Sequence, residues 1–254
     1  MQKYVQLYKL LFVVTLLFGG CSPASKKLSP TVKMDQKVRK YKIQQVKQET
    51  AKPLPEKIVL SHVPFIRQLP ELKRGCEVTS LAMLLQSANI KVDKMKLAKE
   101  IHKVPFWIGN KHGHPNEGFV GDIYTYSSPG YGAYHKPIYK LAQRYLGERA
   151  IDLTGKDIES IYTQIRSGIP VLVITNSTFR RLSDGHFRNW ETPQGIVRIT
   201  YYEHSVIVTG YDKEKVYFHN PLGTEPHISI SKNEFQTAWE QMGKQAISYK
   251  KELR

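Results

Sequence analysis

The sequence predicts an α+β domain, and three observations carry that fold class. Val78, Leu81, Ala82, Leu85 and Ala88 recur at three- and four-residue intervals, the apolar stripe of a helix that begins near Glu77. Pro170-Val171-Leu172-Val173-Ile174 is a short unbroken apolar run after Gly168, the pattern of a buried strand. Residues 197–209 and 216–218 are strongly β-prone and flank the turn-forming Gly210-Tyr211-Asp212-Lys213-Glu214. Helices thus gather in the first part of the domain and antiparallel strands in the last third.

Two segments precede the domain. Lys3 and Lys9 lead into an apolar run over 10–18, followed by Gly19, Gly20 and Cys21. A charged start, a short apolar stretch and small residues before a processing point make an export signal, and the run is too short to span a bilayer. Leu17-Phe18-Gly19-Gly20-Cys21 resembles a bacterial lipoprotein signal, which implies lipidation of Cys21 and attachment to the outer face of the cell membrane; a plain cleaved signal, hence secretion, or an uncleaved anchor is the alternative. Residues 22–56 are rich in Lys, Gln and Ser, with Pro23, Pro30, Pro53 and Pro55 and few core-forming side chains, and read as a flexible basic linker.

The net charge of +16 suggests nucleic acid until it is located. Residues 1–57 hold 12 Lys or Arg against 3 Asp or Glu, a net +9, which leaves +7 for the other 197 residues. The excess therefore belongs mainly to signal and linker. It fits an anionic membrane or cell-wall polymer, with no nucleic-acid partner expected.

The domain, 57–254, opens with an extended run at 58–65. After the Cys76 helix, Asp93 is a good N-cap for a second helix carrying Met95, Leu97, Ala98 and Ile101. Residues 104–133, rich in Gly, Pro, Asn and aromatics, read as a covering loop beside an active cleft. His112-Gly113-His114 within it lacks a third ligand of obvious spacing, and no metal or other cofactor is expected. Ile138, Leu141, Ala142 and Tyr145 mark a further helix, and Thr154-x-x-Asp157 reads as the start of another that runs to about Ser167. Residues 180–194 read as a polar loop in which Trp190 is a packing residue, with a cleft-lining role as the alternative. Ser231-x-x-Glu234 reads as a capping box for a last helix, and 246–249 as an edge strand.

Four residues suggest chemistry. Cys76 stands at a helix start, where unpaired amides and the helix dipole favour a thiolate; Gly75 before it allows close approach of the backbone. Gln68, eight residues earlier and just before Leu69-Pro70, is placed to fold back and offer its amide N–H beside the sulfur. A thiolate, its own N–H and a side-chain amide can attack a carbonyl and hold the resulting oxyanion. His204 opens an apolar strand, and Asn220 ends the next one. An antiparallel hairpin of suitable register brings the two together, so that Asn220 accepts from one imidazole nitrogen and leaves the other for the sulfur. Each residue also has a plain structural reading: a small buried thiol, a loop Gln, a strand His, a turn Asn. His62 and His219 are weaker candidates for a base. With Cys21 lipidated, Cys76 is a lone thiol in an oxidising compartment, where such a residue is buried or used.

At these residues the chain resembles the peptidase family C39-like group, relatives of the papain-type cysteine peptidases. Val63-Pro64-Phe65, Gln68-Leu69-Pro70-Glu71-Leu72, Gly75-Cys76-Glu77-Val78-Thr79-Ser80-Leu81-Ala82, Gly118-Phe119-Val120-Gly121-Asp122, residues 204–210 and Asn220-Pro221 carry the likeness over roughly 58–249. The resemblance implies a papain-like fold with Cys76 as nucleophile, His204 as base, Asn220 as orienter and Gln68 at the oxyanion hole. Many relatives have Asp-Pro where this chain has Asn220-Pro221, and Asn still accepts from imidazole. Glu77 beside the nucleophile opposes thiolate formation unless it points outward. The expected function is a cell-surface thiol hydrolase acting on a peptide or protein. A catalytically silent peptide- or glycan-binding module and a cell-wall amidase or transpeptidase are the alternatives.

Overall fold

The computed structural model describes residues 38–40, a helical turn, and 56–251. The expected signal, Cys21 and most of the linker lie outside the described residues. Among the described residues, no helix is long and apolar enough to cross a membrane.

Strand β1 (Ile58–Val59) leads through a loop to helix α1 (Cys76–Ser87), whose first ten residues are all buried. The predicted apolar stripe faces the core, but Glu77, Thr79 and Ser80 are buried with it. Helix α2 (Lys94–Glu100) packs on α1 and is capped as expected, Asp93 Oδ1 accepting from the Lys96 amide at 2.8 Å. The expected covering loop contains four two-residue strands, β2 (Lys103–Val104), β3 (Trp107–Ile108), β4 (Lys111–His112) and β5 (Phe119–Val120), paired β2 with β5 and β3 with β4. Helix α3 (His135–Leu146) then packs against α1.

From β6 (Ala150–Asp152) onward the chain builds its sheet. Helix α4 (Ile158–Arg166) precedes β7 (Val171–Asn176), and a hairpin of β8 (Arg188–Thr192) and β9 (Gly195–Ile199) precedes β10 (Glu203–Tyr211). Strands β11 (Lys215–His219) and β12 (Ile228–Ser231), helix α5 (Lys232–Gln241) and β13 (Ala246–Tyr249) complete the fold. The sheet is antiparallel, seven-stranded and ordered β12-β11-β10-β7-β13-β6, with β1 added to the end of β10. All six residues of β7 are buried, as in a central strand covered on both faces; α1, α4 and α5 all pack on it.

Several expectations are corrected. Strand β13 is an inner strand between β7 and β6, with all four residues buried, and is not at an edge. The segment expected as a polar loop holds β8, which alternates exposed Glu191 with buried Trp190 and Thr192. The β-prone stretch 197–209 breaks at Thr200–Tyr202 into two strands, because β9 turns back on β8 while β10 joins the main sheet. Neither predicted capping box forms. Thr154 Oγ1 accepts from the Ala246 amide at 3.3 Å, tying it to β13 and not to α4. At α5, Ser231 occupies the N-cap position without a side-chain bond, and the Lys232 amide donates to Glu214 O at 2.8 Å.

The register of β10 against β11 shifts between Val208 and Gly210, a bulge beside the point where β1 docks. A Cβ on Gly210 would lie 2.3 Å from Ile58 O, so glycine is required for the close approach of β1. Two substitutions test this packing by denaturant unfolding. Leu81→Ala, in the middle of buried α1, is expected to lower the unfolding free energy by about 2–5 kcal/mol. Gly210→Ala is expected to cost about 1–3 kcal/mol by displacing β1. Wild-type stability in either variant would contradict the packing described.

Candidate active site

Cys76 is the first residue of α1, follows the N-cap Gly75, and is 6% exposed. It opens onto a cleft of about 360 Å³ whose lining includes Gln68, Tyr126, Tyr131, Tyr201, Glu203 and His204. The Ser205 backbone amide faces the sulfur and acts against the rise of the thiol. It lies on β10, against which α1 packs, one residue beyond His204.

His204 is held from the opposite side. Its Nε2 donates to Asn220 Oδ1 at 2.7 Å, across the β10–β11 hairpin in which Ile207 pairs with His219. The Leu222 amide also donates to Asn220 Oδ1, at 3.0 Å, so the carboxamide is oriented by its own turn. With Nε2 engaged, Nδ1 is the nitrogen left for a second partner. Burial pushes the imidazole down to about 4, while the bond to Asn220 acts in the other direction.

The loop bearing Gln68 is fastened to the same hairpin. Its amide donates to Pro221 O at 2.8 Å, and Lys94 Nζ donates to Gln68 O at 2.9 Å while pairing with Glu71 at 2.6 Å. The side chain is buried, and its Oε1 has no hydrogen-bond partner. Gln68, Cys76 and His204 thus line one cleft, and His204 is hydrogen-bonded to Asn220. His62 is exposed, and buried His219 bonds Pro64 O at 3.1 Å and approaches His227, so neither faces the sulfur.

Glu77, which opposes thiolate formation unless it points outward, points inward. Its side chain is buried, its Oε1 accepts from the Ala133 amide at 2.6 Å, and its Oε2 accepts from Cys76 Sγ at 3.3 Å. Glu203, which the sequence reading did not single out, completes the cluster: the Cys76 sulfur and one oxygen of each carboxyl lie within 4.8 Å of one another. Glu203 is partly exposed as a residue, yet its Oε1 is buried and unpartnered. The helix dipole is outweighed here. Burial first, then the charges of Glu77 and Glu203, push the Cys76 thiol well above its ordinary value. Burial likewise pushes Glu77 up to about 7, and burial with the charge of Glu77 pushes Glu203 well up. The signal for Glu203 was its place beside His204 on a strand otherwise apolar.

The covering segment has a small core of its own, in which Val120, Tyr131, Tyr134, Trp190 and Ile199 are buried together. His112 is stacked between Trp107 and Trp190, with ring centroids 4.0 Å from each. His114 Nδ1 accepts from the Asn116 amide at 3.0 Å, so the two histidines have separate partners. Trp190 packs as expected, while Tyr126, Tyr131 and Tyr201 line the cleft.

Three likenesses to known proteins match this arrangement. The profile of the Peptidase_C39 like family matches residues 60–247. An uncharacterized protein of Bacillus subtilis (strain 168), YvpB, is 45% identical over 183 residues, 72% of this chain and 71% of its own length. A crystal structure from Bacillus anthracis, provisionally described as a C39-like peptidase, superposes with a TM-score of 0.77 at 56% identity, covering 78% of this chain and all of that one. With the profile spanning most of the domain and a relative of this identity matched over most of both chains, the chain belongs to the Peptidase_C39 like family.

Proposed function

We propose that this chain is a cell-surface cysteine peptidase-like hydrolase that cleaves a peptide or amide bond through Cys76, His204 and Asn220, with Gln68 at the oxyanion hole. The observation that carries the reading is the 2.7 Å bond from His204 Nε2 to Asn220 Oδ1 in the wall of the cleft that also contains Cys76. It fixes the imidazole so that Nδ1 remains for the thiol. In the reaction, the S–H bond breaks and the proton passes to His204 Nδ1 as sulfur attacks the carbonyl carbon. The oxyanion accepts from the Cys76 amide, at the start of α1, and from the Gln68 carboxamide. The C–N bond then breaks, the leaving amine takes the proton from His204, and a thioester remains. Water, deprotonated by His204, hydrolyses that thioester and frees the thiol.

The substrate expected is a peptide or protein strand laid along the tyrosine-lined cleft. Transfer to an amine in place of water, as in a cell-wall transpeptidase, uses the same thioester and differs only in the acceptor. A binding module without turnover is the second reading. It draws support from the thiol's hydrogen bond to Glu77, which favours the neutral sulfur. Attachment of the domain to the membrane through Cys21, with the basic linker facing anionic polymer, completes the proposal.

Two experiments test it. On a peptide library, Cys76→Ala and His204→Ala are expected to reduce cleavage to background, Gln68→Ala to lower kcat by about 100- to 1,000-fold, and Asn220→Asp to retain activity that Asn220→Ala loses. Cleavage that survives Cys76→Ala, or a cellular phenotype fully kept by that variant, overturns the hydrolase reading. For the anchor, the intact mass of protein from the membrane fraction is expected to begin at Cys21 with a lipid adduct. A protein that keeps its first 20 residues, or carries an unmodified Cys21, contradicts it.

A further inference from the structure

The acids beside Cys76 lack a compensating cation. Among the described residues, neither Glu77 nor Glu203 pairs with a Lys or Arg side chain. Lys73 and Arg74 reach the same cleft, but Arg74 Nη1 donates to Asp122 O and Thr125 O, and its guanidinium lies over the Tyr126 ring. The cover over the pair is Gly132: a Cβ there would lie 2.6 Å from Glu77 Oε1 and 2.8 Å from Glu203 Oε2. A side chain there would have to displace both carboxyls. The other groups that face the pair are Cys76, His204 and the phenols of Tyr131 and Tyr134, whose hydroxyls are 3.2 Å apart. Burial first, together with the Glu203 charge, raises both phenols, so they remain neutral hydroxyls and supply no positive charge.

We propose that Glu77 and Glu203 act as a charge brake on Cys76: their ionised carboxyls hold the thiol proton on sulfur, and neutralising either one eases its loss. Two like charges held this close with a thiol, in a site with little water, cannot all ionise together. Three negative groups are therefore fitted with fewer than three charges. The thiol, hydrogen-bonded to Glu77 Oε2, is the group that stays protonated when both acids are ionised. This is consistent with the raised thiol, the rise of Glu77 to about 7 and the upward shift of Glu203. Glu203 is thus a positioning residue that acts through Cys76. The inference rests on the hydrolase reading for its biological meaning, since it says when the nucleophile is available.

Alkylation of the metal-chelated, purified protein by iodoacetamide tests the brake without any substrate. In that reaction the S–H bond breaks, an S–C bond forms and iodide leaves, so the rate follows the thiolate fraction. Glu203→Gln is expected to move the pH midpoint of Cys76 alkylation downward by about one unit or more, roughly a tenfold faster rate below the midpoint. Glu203→Asp, which restores the charge, is expected to return the midpoint toward the wild-type value. Glu77→Gln keeps a carbonyl for the Ala133 amide and is expected to shift the midpoint in the same direction. Should that variant fail to fold, Glu203→Gln decides the matter, because Glu203 Oε1 has no hydrogen bond to lose. A change of access alone would scale the plateau rate and leave the midpoint in place. A folded Glu203→Gln protein with an unmoved or raised midpoint overturns the brake. If peptides are never cleaved yet the midpoint moves, only the hydrolase reading fails; if peptides are cleaved and the midpoint stays, only the brake fails.

Discussion

A buried sulfur at the first residue of a buried helix is the constraint around which this domain is arranged. Helix α1 has no solvent-facing side over its first ten residues, so its N-terminus cannot shift without disturbing the packing of α2, α3 and the central strands. Helix α1 packs on β10, which carries His204 and pairs with the strand that precedes Asn220. Gln68 is fastened to Pro221 by a main-chain bond. His204 is held by Asn220, and Gln68 by its main chain, with packing behind both. That is the condition for a preorganised site.

Electrostatics and packing act in opposite directions at this point. A helix start favours negative charge on sulfur, but the favourable effect of the dipole is small and confined to the first turn. Burial and two neighbouring carboxyls oppose it, and the thiol is raised. The imidazole is lowered by the same burial, so the resting pair is neutral thiol and neutral imidazole. Proton transfer between them creates a charge-separated pair inside a dry site, and the charge of the acids influences how readily that occurs.

Much of the site was legible in the sequence because its geometry is local. The Cys76 helix follows from apolar spacing, and the His204–Asn220 bond from two strands separated by a short turn, where period two decides which side chains share a face. The inward turn of Glu77 was not legible for a physical reason: a helical stripe describes a helix with one buried face, and the first ten residues of α1 are all buried. Its partner Ala133 lies 56 residues away on a loop whose path no periodicity encodes. The same holds for Glu203, whose proximity to Glu77 depends on tertiary packing. Strand β8 was hidden by its exposed Arg188, Asn189 and Glu191, because the hairpin buries only alternate side chains. The cap at Thr154 failed because the helix starts three residues later, at N-cap Asp157, and Thr154 serves β13 instead.

The inner position of β13 bears on how the molecule is made. Residues 246–249 lie between β7 and β6, which come 70 or more residues earlier in the chain. Until they are synthesised, β6 and β7 have no strand to bridge them, and a chain still emerging from the ribosome holds an open seam in its sheet. The final closure is a long-range event with a large loop-entropy cost. Maturation of the nucleophile's surroundings is thereby deferred until residues 246–249 have been made.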